Sequence, residues 1–266
     1  MLMAITREVS SAFDRCQLTH LPRAPIDIER ARVQHAAYEW ALVELGCTVR
    51  RLDSGADMPD AVFVEDLAVV FPEGAVITRP GADSRRVETP AVAAALGRHG
   101  LPLREIEAPG TLDGGDVLVL GRQVFVGASA RTNAAAIDQM RRLLEPLDYR
   151  VGAVPVRGCL HLKSAVTAVG AGTVLINRQW VAARAFDGLT LVEVDPAEPH
   201  AANALWLAGQ RGSALPSVGD VVVYPAAFPK TRARLERHGL RVRTIEVDEL
   251  AKAEGGVTCC SVIFDV

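Results

Sequence analysis

Apolar and polar positions along this chain follow a pattern that recurs five times: an amphipathic helical stretch, a polar or glycine stop, then a short apolar strand. The repeats are ALVELGCTVRRLD (41–53), ALGRHGLPLREIE (95–107), LLEPLDYRVGAVP (143–155), ARAFDGLTLVEVD (183–195) and RLERHGLRVRTIE (234–246). Their stops are Gly46, Gly100, Asp148, Gly188 and Gly239, spaced 40 to 54 residues apart. Glycine ends a helix there because it enters the left-handed conformation at no steric cost. After each strand comes a loop and a second apolar run: DAVFVEDLAVVF, LDGGDVLVLG, LHLKSAVTAV, ANALWLAG and GGVTCCSVIF. Most repeats add a third strand, as in GAVITRP (74–80), QVFVGASA (123–130), TVLINR (173–178) and DVVVYPA (220–226). The fifth has none of its own, and the N-terminal AITREVS (4–10) is expected to supply it, joining the two ends of the chain. The pattern predicts an α/β fold of ββαβ modules with pseudo-fivefold symmetry. That is a five-bladed α/β propeller with helices outside, in a single domain over residues 1–266; an ordinary α/β sandwich is the competing arrangement.

Unusual residues fall where the loops lead into the second runs. The first module gives Asp60, Glu65 and Asp66, the second Asp113 and Asp116, the third His161 and the fifth Cys259. In a ring of modules these junctions converge on one end of the central axis. Each residue alone has an ordinary explanation. Asp113 suits a turn, a lone histidine is usually structural, and Cys259 and Cys260 are small thiols that suit a core. Glu65 and Asp66 break an apolar run, and adjacent strand residues point to opposite faces, so at least one is expected to face an interior. Matching positions in the repeats make the set more informative than its members.

Composition narrows the function classes. The 266 residues are 49% hydrophobic with a net charge of −3 and 5% aromatic residues, and the basic residues are scattered. Nucleic acid is therefore not an expected partner. No apolar run approaches the roughly 18 residues needed to cross a bilayer, and the N-terminal residues lack the pattern of a secretory signal. The five cysteines are an odd number spread through the chain, as expected of reduced thiols in a cytoplasmic protein.

VFVEDLAVV, LDGGDV, LHLKS and GGVTCCS, in that order and spacing, resemble the dimethylarginine dimethylaminohydrolase family of the guanidine-modifying pentein superfamily, as do TRPGADSRR (78–86) and GASARTN (127–133). The resemblance spans about residues 5 to 264 and implies the five-module propeller. It implies Cys259 as nucleophile, His161 as acid/base and Asp113 as the group that orients it. Glu65 and Asp66 would hold the guanidinium nitrogens, Arg85 and Arg131 the α-carboxylate, and Asp60 the α-amino group. Leu18 lies where the family has a mobile lid, and Phe63 joins the substrate-binding set. The implied reaction converts an Nω-methylated L-arginine to citrulline and a methylamine through a covalent thiouronium. The implied partner is a small-molecule arginine derivative, and a homodimer is left open.

No step of that reaction needs a metal or cofactor, and the spacings of structural zinc sites are absent. Related deiminases and amidinotransferases carry aspartate two residues after the histidine, where this chain has Lys163. Without that carboxylate an alkylated nitrogen leaves no acceptor unpaired, a saving of roughly 1–3 kcal/mol. The alternatives are an arginine deiminase-like hydrolase, a non-catalytic binding protein on the same fold, and a papain-like protease. In the last the cysteine would precede the histidine and open a helix.

Overall fold

The computed structural model describes residues 1–53, 55–208 and 219–266. Its described strands form five sheets of three, in the orders β3-β4-β5, β6-β7-β8, β9-β10-β11, β12-β13-β14 and β15-β1-β2. The strands are β1 (Leu2–Arg7), β2 (Thr48–Leu52), β3 (Ala68–Phe71), β4 (Gly74–Ile77), β5 (Leu103–Glu105), β6 (Val117–Leu120), β7 (Gln123–Ala128) and β8 (Arg150–Pro155). They continue with β9 (Val166–Gly170), β10 (Thr173–Ile176), β11 (Thr190–Glu193), β12 (Leu205–Leu207), β13 (Val221–Pro225), β14 (Arg241–Ile245) and β15 (Val262–Asp265). In every sheet the middle strand runs antiparallel to the strand before it and parallel to the strand after it. A parallel pairing needs a crossover. It is made by α1 (Ile28–Glu44), α2 (Thr89–Arg98), α3 (Ala134–Leu144) and a later helix, Pro229–Arg237.

The fourth blade departs from the sequence pattern. Its crossover is a short 3₁₀ turn, Ala183–Phe186, rather than an amphipathic helix. The physical reason is length, because residues 177–189 form the shortest of the five crossovers. All five stops adopt left-handed backbone: Gly46 at φ 93°, Gly100 at 75°, Asp148 at 61°, Gly188 at 87° and Gly239 at 80°.

The ring closes through the chain ends. β1 pairs with β15, Met3 opposite Phe264, and with β2, Met3 opposite Thr48. The Met1 amino group donates to the Val266 carbonyl at 2.9 Å, and the Val266 amide donates to the Met1 carbonyl at 3.0 Å. The inner strands β3, β6, β9, β12 and β15 line a central channel of about 290 Å³.

The apolar interior divides into clusters spread around this ring. One joins Tyr38 and Leu42 of α1 to Val223, Ile245, Val257 and Cys260. Each large apolar side chain fully buried there contributes about 1.5–3 kcal/mol. The Tyr38 hydroxyl shares a 2.6 Å hydrogen bond with the Ser261 hydroxyl, which ties α1 to the segment entering β15. No described helix is long and apolar enough to cross a membrane.

Candidate active site

A tight turn precedes the inner strand in four of the blades, and those turns aim the chemistry inward. They are the 3₁₀ turns Val64–Leu67 and Gly114–Asp116, the short helix Leu162–Ala165 that follows His161, and the turn over 257–260. Glu65 and Asp66 therefore do not lie in a strand, and both are buried. Cys259 and Cys260 likewise sit in a turn before β15 rather than within a strand. The turn separates them, leaving Cys259 half-buried and Cys260 within the α1 core cluster.

His161 lies between two carboxylates. Its Nε2 is 3.0 Å from Asp113 Oδ2 and its Nδ1 is 3.8 Å from Asp66 Oδ1. Each carboxylate is held in turn. Asp113 Oδ1 accepts the Gly81 amide at 2.8 Å, Asp66 Oδ1 accepts the Gly115 amide at 3.0 Å, and Asp66 Oδ2 accepts Arg85 Nη1 at 2.5 Å. The Gly114–Gly115 pair permits this convergence by its lack of bulk. A Cβ at Gly114 would lie 2.0 Å from the Glu65 carbonyl oxygen, and one at Gly115 would lie 2.6 Å from His161 Nδ1. Asp116 supports the turn from beneath, accepting Ser129 Oγ, Thr132 Oγ1 and the Leu162 amide.

These contacts set the charges. Burial opposes an imidazolium at His161, but Asp66, the hydrogen bond to Asp113 and the charge of Asp116 together raise it to about 9. Burial works against the Asp66 carboxylate, while His161 and Arg85 hold its carboxyl below the usual value. The Cys259 thiol is pushed well up, first by burial and then by Glu65 and Asp66. Its Sγ accepts the Gly256 amide at 3.3 Å. The resting cavity thus has an imidazolium and a protonated thiol in its wall.

Asp66, His161 and Cys259 open on one small cavity of about 20 Å³, with Asp60, Phe63, Arg85 and Arg131 also in its wall. Phe63 meets Phe13 edge-on, with ring centroids 5.8 Å apart. Arg85 is fully committed inside the protein. Burial disfavours its charge, but Asp66 and Glu88 hold the guanidinium above its ordinary value. It also donates to the Asp60 and Phe63 carbonyls. Arg131 is freer, donating to Thr19 Oγ1 at 3.1 Å and lying 3.7 Å from Asp113. Leu18 is outside the cavity wall and packs against the α1 core cluster. Its loop crosses the site nonetheless. The Gln17 amide donates to Asp60, and the amides of Thr19, His20 and Leu21 all donate to the Glu254 carboxylate.

Asp66, Asp113 and His161 present ligand atoms within 4.8 Å of one another, close enough for one cation. The imidazolium proton already supplies positive charge between those carboxylates.

The family profile described as "N,N dimethylarginine dimethylhydrolase, eukaryotic" matches residues 6–264. The chain belongs to the dimethylarginine dimethylaminohydrolase family. It is 40% identical to the N(G),N(G)-dimethylarginine dimethylaminohydrolase of Streptomyces coelicolor, over 97% of this chain and 95% of that one. It is similar in structure to a cysteine-to-serine mutant of the Pseudomonas aeruginosa enzyme complexed with citrulline, with a TM-score of 0.89, 32% identity and 98% of each chain covered. A histidine-to-glycine mutant of a dimethylarginine dimethylaminohydrolase, as an adduct with S-methyl-L-thiocitrulline, superposes with a TM-score of 0.88 at 32% identity, covering 98% of this chain and 99% of that one. The fold is the five-module propeller of that family.

Within this family frame, the position of Glu65 departs from the role expected of it. Its Oε1 accepts Lys163 Nζ at 2.7 Å and its Oε2 accepts Thr258 Oγ1 at 2.7 Å, and all three residues line the central channel. Glu65 is absent from the wall of the small cavity that Cys259 and His161 share. Lys163 turns the same way and also donates to the Gly114 carbonyl at 3.2 Å. Glu65 still steadies the turn that carries Cys259, since its amide donates to the Cys259 carbonyl at 3.1 Å.

Sequence reasoning missed Asn203, the polar residue at the fourth junction. Asn203 accepts the Thr258 amide and donates to Thr258 Oγ1 and the Lys163 carbonyl, linking the third, fourth and fifth blades. The repeat itself was the available signal, because every other junction had supplied a polar residue. Glu254 was also missed, and its sequence signal is only an acid placed before Gly255–Gly256.

Proposed function

We propose that this chain hydrolyses Nω-methylated L-arginine to L-citrulline and a methylamine, with Cys259 as nucleophile, His161 as acid and base, and Asp113 as the group that orients His161. One observation carries the reading: Cys259 opens on the same small cavity as Asp66 and His161, whose Nε2 is 3.0 Å from Asp113 behind it. Asp60 and Arg131 stand in that wall as well and suit an amino-acid head group. Asp66 suits a guanidinium, whose N–H groups pair with a carboxylate through charge-assisted hydrogen bonds.

A guanidinium bound beside Asp66 brings positive charge to Cys259 and lowers a thiol that burial and carboxylates had raised, so that the thiol releases its proton to solvent. The thiolate adds to the guanidinium carbon, and the His161 imidazolium gives its proton to the methylated nitrogen. The C–N bond breaks, the amine departs, and a thiouronium remains on Sγ. Neutral His161 then takes a proton from water, the resulting hydroxide adds to the same carbon, and the C–S bond breaks to release citrulline.

Preference for a methylated nitrogen is supported by Lys163. Two residues after the histidine, its side chain is drawn onto Glu65, so that position presents no carboxylate to the cavity. The test is a steady-state comparison of asymmetric dimethylarginine, monomethylarginine, arginine and agmatine, scoring ureido product and released amine. The methylated arginines should have the higher kcat/KM, and agmatine, which has no α-carboxylate, should be poor. Arginine as the best substrate would make this chain a deiminase instead.

A further inference from the structure

We propose that a second cavity beside Cys259 is an apolar subsite for the substituent on the substrate's leaving nitrogen, and that it takes alkyl chains and rings well beyond methyl. The inference deepens, and rests on, the hydrolase function given above. The cavity measures about 320 Å³, against about 20 Å³ for the catalytic cavity. The two have Leu160, Glu254, Gly255 and Cys259 in common as wall residues. The smaller one has room for little more than the guanidinium group.

Chemistry fixes the direction of the substituent. The leaving nitrogen is bonded to the carbon that Cys259 attacks and takes its proton from His161. A substituent on it lies at the wall formed by Cys259 and by Leu160, the residue before His161. That is the wall the catalytic cavity shares with the larger one.

The lining suits an apolar group. Trp180, Phe228, Val247 and Leu160 are in its wall, and Gly158 leaves space under Trp180. A Cβ at Gly158 would approach the indole ring to 3.1 Å. The two carboxylates in the wall are both engaged elsewhere. Asp248 accepts Arg30 and Gln34, and Glu254 accepts the loop amides of residues 19–21. A hydrocarbon entering this space therefore strips no unpaired charge of its water. Its size is ample, since an apolar cavity of about 150 Å³ already holds benzene. The leaving group is then a longer primary amine: its C–N bond breaks, the carbon gains oxygen from water, and citrulline is the common product.

The test measures kcat/KM for Nω-methyl-, Nω-propyl-, Nω-pentyl- and Nω-benzyl-L-arginine, quantifying citrulline and each amine. The pentyl and benzyl substrates should remain within about tenfold of the methyl one, because the apolar contact offsets their bulk. Ala227 and Ala251 are exposed residues in the cavity wall. Ala227→Trp and Ala251→Trp should each cut the pentyl and benzyl values by about tenfold or more, with the methyl value within about twofold. A wild-type loss of more than about tenfold at propyl, pentyl or benzyl overturns the proposal, because a wall that did not admit the chain would cost roughly 10–200-fold for each methylene. Equal effects of the tryptophan variants on methyl and pentyl substrates also overturn it. Failure of the underlying hydrolase function shows separately, as absence of wild-type turnover of Nω-methylarginine.

Discussion

Glu254 offers a perturbation whose two effects have opposite signs. It adopts left-handed backbone at φ 60°, although it is not glycine, a conformation that costs an ordinary residue roughly 1–2 kcal/mol. Its Oε2 accepts the Thr19 amide at 2.7 Å, and its Oε1 accepts those of His20 and Leu21 at 2.5 and 2.7 Å. The carboxylate therefore latches the loop over the site to the segment that leads into Cys259. Hydrogen bonds to a charged group are worth about 1.5–3 kcal/mol each, but two of these are exposed and the third is partly buried, so water replaces them in part. About 2 kcal/mol for all three together is a reasonable figure, or roughly thirtyfold in closing the loop. Glu254→Gly removes the latch and the backbone strain together. KM for dimethylarginine should rise about tenfold or more, while Tm stays within a few degrees of wild type. Glu254→Gln keeps the strain and one acceptor oxygen, so its KM should fall between the two and its Tm below wild type. Steady-state kinetics and amide hydrogen exchange over residues 19–21 read both effects. Faster exchange at those amides with KM unchanged would refute the link between latch and binding, and unchanged exchange would refute the latch.

Arg85 and Arg131 should behave differently. Arg85→Ala removes the guanidinium that buried Asp66 and Glu88 share, leaving them only the longer contacts to His161 and Arg7, at a cost of about 3–5 kcal/mol and a large fall in Tm. Arg131→Ala should instead raise KM, with stability changed by about 1 kcal/mol or less; thermal melts and kinetics on both variants decide. His161 titrates at about 9 in the folded protein against an ordinary value of 6.5. Its charge therefore stabilises the fold fully below pH 6.5, and that contribution is lost as pH rises through about 9. Unfolding free energy measured against His161→Gln should lose on the order of 3 kcal/mol between pH 6 and 10, and kcat/KM should fall above pH 9 as the acid is lost. Exhaustive chelation should leave activity intact, and recovery of a chelator-inactivated enzyme on adding a metal would assign the Asp66–Asp113–His161 cluster to a cation.

The architecture was legible because it repeats. The helix stops recur at intervals that no single element explains, and all five take the left-handed backbone that such stops require. The use of AITREVS as the missing strand followed from the same counting, and β1 does sit between β15 and β2. Period-2 reasoning failed at the junctions, because the chain turns there. Val64–Leu67 forms a 3₁₀ turn, so Glu65 and Asp66 diverge to the channel and the cavity rather than to two faces of a sheet. The pairing of Glu65 with Lys163 joins residues 98 apart in sequence and is settled by packing across the ring. Glu254 acts through backbone amides, and Asn203 mostly through a backbone amide and a backbone carbonyl, and such partners carry no signature in side-chain sequence.

The account rests most heavily on a covalent bond at Cys259, and that bond can be weighed. Acid quench during turnover of asymmetric dimethylarginine, followed by digestion and mass spectrometry, examines a peptide that contains both Cys259 and Cys260. Cys260 is 1% exposed in the α1 core cluster, whereas Cys259 opens on the catalytic cavity. The expected result is the thiouronium mass on Cys259 and an unmodified Cys260, with adduct and turnover both lost in Cys259→Ser. Turnover without a sulfur adduct, an adduct on Cys260, or full activity in Cys259→Ser would contradict the account.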